Sequence, residues 1–316
     1  MTIKFLKNGS KFAIIRQTED GETSIDIYRI LPEGLYERIH TYTVVGKITC
    51  FDINDDGSVL AIGFENGEVQ IWNISPDETE IHLADTRKDH TMIVNCIKFH
   101  STKPFFLTGS KDGTAILYQL CDKKLATCIR TISPPHKTKP EITSLEFSDD
   151  GSMIIIGDNK NTVSILETEN SGRHYTSSFP QHSGRITRMR VCHNGYLAVA
   201  SGSHITIWEK TTVGFGRESQ KIRGMHYVNA FACHNVLPII CASDSFGGRV
   251  NIYVCSPSSS SDYDLKMFFD NCYAEDVLFH PTEPILGIYM KSLKKIHFYR
   301  ISDDYATIAH IFTITL

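Results

Sequence analysis

The chain has 316 residues, 41% of them hydrophobic, with 32 Lys and Arg against 36 Asp and Glu for a net charge of −4. A negative balance without a reader motif counts against a dedicated nucleic-acid-binding protein, no apolar run approaches a membrane span, and Met1 to Gly9 reads as a strand and turn rather than a signal peptide. The nine cysteines are odd in number, and Cys50, Cys96, Cys192, Cys233 and Cys241 fall in predicted strands, which fits buried reduced thiols in a cytoplasmic or nuclear protein.

Short strand-like segments recur from the first residues onward. In the first unit Phe5 anchors a strand, Asn8-Gly9 turns, Phe12 to Ile15 forms an apolar run, Asp20-Gly21 turns back, and Ile25-Asp26-Ile27 leads to Tyr28. The second unit repeats this order with Ile53, Asp56-Gly57, Val59 to Ile62, Asn66-Gly67 and Trp72, and the third with Phe99, Phe105 to Thr108, Asp112-Gly113 and Tyr118. The fourth has Phe147, Asp150-Gly151, Met153 to Ile156 and Leu166, and the fifth Val191, Asn194-Gly195, Leu197 to Ala200 and Trp208. The sixth runs through Cys233, Ile239 to Ala242, Gly247-Gly248 and Tyr253, and the seventh through Phe279, Ile285 to Ile288 and Tyr299. Asn-Gly and Asp-Gly supply the positive φ angles that tight hairpins need.

Two registers repeat in phase. The residues from Tyr28 to Tyr299 are separated by 44, 46, 48, 42, 45 and 46 positions, and the anchors from Phe5 to Phe279 by 48, 46, 48, 44, 42 and 46. A strand-only period in the forties predicts an all-β, seven-bladed β-propeller of four-stranded antiparallel blades. The second strands are nearly continuous in apolar residues, as strands covered on both faces are. The fourth strands, beginning near Tyr36, Glu80, Leu125, His174, Arg217, Tyr263 and Ala306, are polar, as exposed edges require. One domain over 1–316 follows, with blades near 1–45, 46–88, 89–133, 141–180, 184–224, 226–270 and 272–316. The strand inventory is compatible with a ring that breaks between blades and with a propeller portion of a longer protein.

These units resemble the WD-repeat family of β-propellers, most closely in Asp55 to Gly63 leading through Asn66-Gly67 to Ile71-Trp72-Asn73, and in Thr108-Gly109-Ser110-Lys111-Asp112-Gly113 after His90. The resemblance implies a hydrogen-bonded tetrad of His90, Thr108, Asp112 and Tyr118, with Tyr in place of Trp. His182 and His226 fall at the same loop-histidine position. Elsewhere the motif departs: the Trp72 unit has Asn66 and no His, and Trp72 and Trp208 precede Asn73 and Glu209 rather than Asp.

Catalytic signatures are lacking. No Cys-x-x-Cys pair or converging His set predicts a metal. Ser201-Gly202-Ser203-His204 has no strand-turn-helix context, and Gly214-Phe215-Gly216 is not a phosphate loop. Asp55-Asp56, Asp149-Asp150 and Asp303-Asp304 belong to turns. No cofactor and no small-molecule substrate are expected.

Function is therefore sought at the upper mouth, where the resemblance places the residue before each first strand. That register selects Lys47, Ile93, Glu141, Arg185, Tyr227 and Tyr273, and Tyr and Arg are good interface anchors. The resulting expectation is a non-enzymatic scaffold in a larger intracellular complex, binding peptide or protein partners on this face. Trp72-Asn73-Ile74-Ser75 and Trp208-Glu209-Lys210-Thr211 lack the Trp-Asp-x-Arg that ubiquitin-ligase receptors in the family often carry. The alternative is an RNA-associated propeller using a basic stripe on the fifth blade, Arg188, Arg190, Arg217, Lys221 and Arg223. Two loops stand apart: a serine run, Ser256 to Asp262, and a proline-stiffened ridge, Ser133 to Pro140, beside Glu141.

Overall fold

A computed structural model describes residues 3–6, 9–17, 23–31, 36–75, 80–121, 125–169, 175–179, 182, 184–192, 195–211, 214–244, 246–255 and 263–315. The Asp20-Gly21 turn and the serine run lie outside the described residues. Among the described residues twenty-eight strands form seven antiparallel sheets, each built from four consecutive strands.

The first blade comprises β1 (Ile3–Phe5), β2 (Lys11–Gln17), β3 (Thr23–Ile30) and β4 (Tyr36–Val44), and the second β5 (Ile48–Ile53), β6 (Val59–Phe64), β7 (Val69–Ile74) and β8 (Ile81–Arg87). The third has β9 (Val94–Phe99), β10 (Phe105–Ser110), β11 (Ala115–Cys121) and β12 (Leu125–Ile132), and the fourth β13 (Ile142–Phe147), β14 (Met153–Asp158), β15 (Val163–Glu167) and β16 (Tyr175–Phe179). The fifth has β17 (Ile186–Val191), β18 (Leu197–Ser201), β19 (His204–Thr211) and β20 (Gly214–Ile222). The sixth has β21 (Val228–Cys233), β22 (Ile239–Asp244), β23 (Arg249–Cys255) and β24 (Tyr263–Phe269), and the seventh β25 (Asp276–Phe279), β26 (Ile285–Met290), β27 (Lys295–Ile301) and β28 (Ile308–Thr315). This is the expected seven-bladed propeller. Cys192 lies just past β17 rather than inside it.

The strand-ending series has a second structural correlate. In all seven blades the pairing of the third and fourth strands shifts register at the residue pair ending on Tyr28, Trp72, Tyr118, Leu166, Trp208, Tyr253 or Tyr299, and in the fifth blade it shifts again after Glu209. One extra residue there increases local twist, so each outer edge turns away from its neighbours just where the large side chain packs.

Seven hydrophobic clusters divide the core, and each joins two successive blades. The cluster of Ile3, Phe12, Ile14, Tyr28, Leu278, Tyr289 and Phe298 closes the ring between the seventh blade and the first. Phe12 stacks on Tyr28 at 5.2 Å and tilts against Phe298 at 5.5 Å. Among the described residues no strand is exchanged across this seam, because every sheet is sequential. Closure rests on side-chain contacts rather than on strand pairing.

A buried histidine strengthens three of the seams. His100, His234 and His280 each follow a first strand and precede a proline four residues on. Each Nδ1 accepts two backbone N–H bonds from its own turn: Thr102 and Lys103 at 3.1 Å, Val236 and Leu237 at 3.0 and 2.9 Å, Thr282 and Glu283 at 3.2 and 2.9 Å. The Nε2 side then reaches the next blade, to the carbonyl of Gly151 at 3.2 Å, the carbonyl of Glu283 at 2.9 Å and the backbone of Gly9. Asp150-Gly151 is thus more than a hairpin turn. A Cβ on Gly151 would lie 2.0 Å from His100 Nε2, so the neighbouring blade requires glycine there as much as its positive φ does.

Consecutive connections alternate between the two faces of the ring. The turns between second and third strands and the links between blades form the upper face. The turns between first and second strands form the lower face. The first strands line a central channel.

Candidate functional site

The tetrad positions assemble in the third blade with one change. His90 Nδ1 lies 3.0 Å from Asp112 Oδ2, its Nε2 lies 2.7 Å from Thr108 Oγ1, and the Thr91 N–H donates to Asp112 at 3.0 Å. Burial alone would raise the Asp112 carboxyl, but hydrogen bonds from His90, Thr114 and the Thr91 amide outweigh it and hold it well below the usual carboxylate range. Tyr118 stands outside this relay. It stacks on Phe106 at 4.9 Å and donates its hydroxyl to Asp89 Oδ2 at 3.0 Å.

Two further blades carry a His–Asp tie. His226 Nδ1 lies 2.9 Å from Asp244 Oδ2, and His136 Nε2 lies 2.8 Å from Asp158 Oδ2. His136 belongs to the predicted proline ridge, so that ridge is fastened to its own blade. Its histidine escaped notice because it sits farther upstream of the strand than His90 does. His182 has no such carboxylate among the described residues; it is buried edge-on against Trp208 at 5.8 Å.

The mouth positions divide by chemistry. Lys47 pairs with Glu65 at 3.0 Å, and Glu141 receives both Lys111 at 3.6 Å and Arg185 at 3.5 Å. On this side of the ring the charges are engaged within the chain. Blades six and seven differ. Tyr227 meets Phe246 edge to face at 6.1 Å, and Phe246 is 76% exposed. Tyr273 does not directly precede a first strand, because β25 begins only at Asp276. The Cys272 amide donates to the Gly248 carbonyl at 2.7 Å, and the Tyr273 ring lies against Gly248 in the sixth blade, 57% exposed. Tyr227, Phe246 and Tyr273 thereby gather on top of one blade. Phe246 was not among the expected site residues; its neighbour Gly247-Gly248 was read only as a turn.

The basic stripe is divided by the sheet. Arg188 and Arg190 lie on β17, the innermost strand, while Arg217 and Lys221 lie on β20 at the opposite edge, with Arg223 just beyond it. Two intervening strands put roughly 14 Å between the halves. Arg188 pairs with Asp276 at 2.7 Å and Arg190 with Glu146 at 3.1 Å, both in the channel wall.

These two arginines belong to a charged lining that sequence reasoning missed. The residue before each first-strand anchor is, in blade order, Lys4, Asp52, Lys98, Glu146, Arg190, Ala232 and Leu278. Lys4 binds Asp52 at 2.6 Å, and Lys98 binds Glu146 at 2.9 Å. Burial raises the Asp52 carboxyl, but Lys4 and Lys98 outweigh it and leave it lowered. Stepping back one residue from the anchors would have revealed the pattern. Among the described residues no group of three or more His, Cys, Asp or Glu side chains is placed to hold a metal, and no helix is long and apolar enough to cross a membrane.

Comparison with known proteins agrees with this geometry. The Vps8 beta-propeller family model matches residues 36–206. Pre-mRNA-processing factor 19 of Oryza sativa subsp. japonica is 28% identical over 164 residues, 52% of this chain and 30% of that protein. Eukaryotic translation initiation factor 3 subunit I of Drosophila willistoni is 25% identical over 133 residues, 42% of this chain and 38% of its own length. The matched regions thus span about a third of these relatives. The crystal structure of a putative 6-phosphogluconolactonase from Bacteroides uniformis superposes with a TM-score of 0.79 at 12% identity, covering 92% of each chain, a likeness of fold alone. With its sequential four-stranded blades and a family match over more than half its length, the chain belongs to the Vps8 β-propeller family of WD-repeat propellers.

Proposed function

We propose that the chain is a non-enzymatic interaction subunit of a larger intracellular complex, and that a protein partner docks on the upper face over blades six and seven. The observation that carries this reading is the gathering of Tyr227, Phe246 and Tyr273 on short, backbone-tied loops, with Phe246 76% exposed. The exposed Phe246 and Tyr273, with the half-buried Tyr227 beside Phe246, offer contact area at small entropic cost, as interface anchors do. The charged mouth positions of blades two to five are already paired, and they form the polar rim of such a site. One relative is named as a factor subunit and another as a processing factor, which supports an assembly role. The cytoplasm or nucleus is the compartment this reading implies.

The test is affinity capture from native extract with the wild type and with the triple variant Tyr227→Ala, Phe246→Ala, Tyr273→Ala. Loss of specific protein partners from a variant with unchanged unfolding midpoint supports the reading. Retention of all partners overturns it, and recovery of RNA dependent on Arg217, Lys221 and Arg223 would install the alternative.

A further inference from the structure

The charged ring in the channel is incomplete. From blade one to blade five its members alternate in sign, Lys4, Asp52, Lys98, Glu146, Arg190, and then Ala232 and Leu278 interrupt it. An alternating series of five that begins with a cation also ends with one, so both rims of the gap are positive. The gap opens onto a cavity of about 210 Å³ whose lining includes Lys4, Arg190, Ala232 and Leu278 and also the carboxylates of Glu146 and Asp276.

The existing carboxylates do not neutralise this lining. Arg188 and Asp276 form their own pair two residues before the ring position on their strands. Counting them, four cations face three carboxylates. The side chains of Asp52, Glu146 and Asp276 are recessed, 7%, 4% and 3% exposed, whereas Lys4, Lys98, Arg188 and Arg190 are 26% to 29% exposed to the lumen. The channel therefore presents cations in front and acids behind. Burial, with Lys98 and Arg190 nearby, lowers the Lys4 ammonium despite its bond to Asp52. Arg190 is paired with Glu146 and cannot shed its charge, and the one positive charge by which the four cations exceed the three carboxylates is costly in a confined site unless a further counter-charge is supplied.

We propose that a small free oxyanion of the phosphate class binds in the lower channel between Arg190 and Lys4, over Ala232 and Leu278, and completes the alternation. Arg190 Nη1 already donates to Glu146 and to the Met189 carbonyl, so a tetrahedral oxyanion would take its hydrogen bonds from the other guanidinium N–H groups, and the ammonium opposes it as a point charge. The side chains of Ala232 and Leu278 themselves offer no competing hydrogen bonds.

The experiment is calorimetric titration of the intact chain with inorganic phosphate at fixed ionic strength. Saturable binding at one site is expected, and heats no different from those of added chloride overturn the proposal. Ala232→Glu places a carboxylate at the vacant ring position and should weaken phosphate binding at least tenfold; undiminished binding overturns the assignment to the gap. In phosphate-free chloride buffer Ala232→Glu should also unfold at a higher urea concentration than Ala232→Gln. The reverse order counts against the missing-anion argument even if neither variant binds phosphate.

Discussion

His280 of the last blade hydrogen-bonds the backbone of Gly9 in the first, and its imidazole fills the space beside that glycine so closely that a Cβ there would lie 1.7 Å from Nε2. Gly9 has φ +68°, so alanine would meet both a left-handed backbone and the ring. The left-handed conformation costs about 1 kcal/mol, and displacing a buried hydrogen-bonded imidazole costs about 1–2 kcal/mol more. Gly9→Ala should therefore lower unfolding free energy by about 2–3 kcal/mol. In a cycle with His280→Ala, the double variant should lose clearly less than the sum of the singles. Full additivity in urea unfolding would show that the seam does not depend on this contact.

The tetrad positions make a second comparison. His90→Ala removes a partner from both Asp112 and Thr108 and should cost about 2–4 kcal/mol, since it leaves a charged and a polar group short of a donor or acceptor. Tyr118→Phe keeps the stack on Phe106 and loses the bond to the partly exposed Asp89, so about 1 kcal/mol is expected. Equal losses would mean that Tyr118 is a member of the relay after all.

How much of this was legible in sequence follows from what repeats. The blades could be read because Tyr28 through Tyr299 occupy one recurrent packing position, fixed by a bulge in every fourth strand. The upper-face cluster could be read only in part. Tyr227 follows the register, whereas Tyr273 reaches Gly248 of the sixth blade because β25 starts late, which no local pattern signals, and Phe246 stands outside the register. Arg188 and Arg217 look like neighbours along the chain and are separated by a sheet, whereas Lys4 and Asp52 are 48 residues apart and share a salt bridge. Inner strands bring together residues one repeat apart, so function in the channel is visible only when repeats are superposed.

Acid should destabilise the propeller in two stages. Burial, with lesser contributions from His204 and Lys221, pushes His182 down to about 4, and burial likewise lowers His100, His234 and His280. The unfolded chain, with imidazoles near the ordinary value of about 6.5, binds more protons than the folded chain below that pH. The stability these neutral rings confer is complete above pH ~6.5 and is lost as pH falls through the folded values. Asp112 and Asp244 are held below the carboxylate range, Asp244 at about 2, because hydrogen bonds outweigh the effect of burial. Their contribution persists to pH ~4 and is lost only below it. Urea midpoints should fall between about pH 7 and 4.5, and His182→Phe should remove about 3 kcal/mol of that dependence. A midpoint flat across this range would contradict the assignment of neutral, buried histidines.

On the upper face the three aromatics should contribute unequally. Phe246 is the most exposed of the three and lies edge-on to Tyr227, so a partner that covers it buries most of the ring. Truncating a central aromatic anchor typically costs 2 kcal/mol or more, roughly a 30-fold loss of affinity. Phe246→Ala alone should therefore weaken partner binding by about that factor while leaving stability unchanged, because an exposed side chain supports little of the core. Lys47→Ala, on the paired side of the ring, should change affinity less than about threefold, as exposed ion pairs are worth little. Equilibrium binding of the captured partner to both variants decides the matter. If Lys47→Ala is the more damaging, the contact lies over blades two to five and the aromatic cluster is not the anchor.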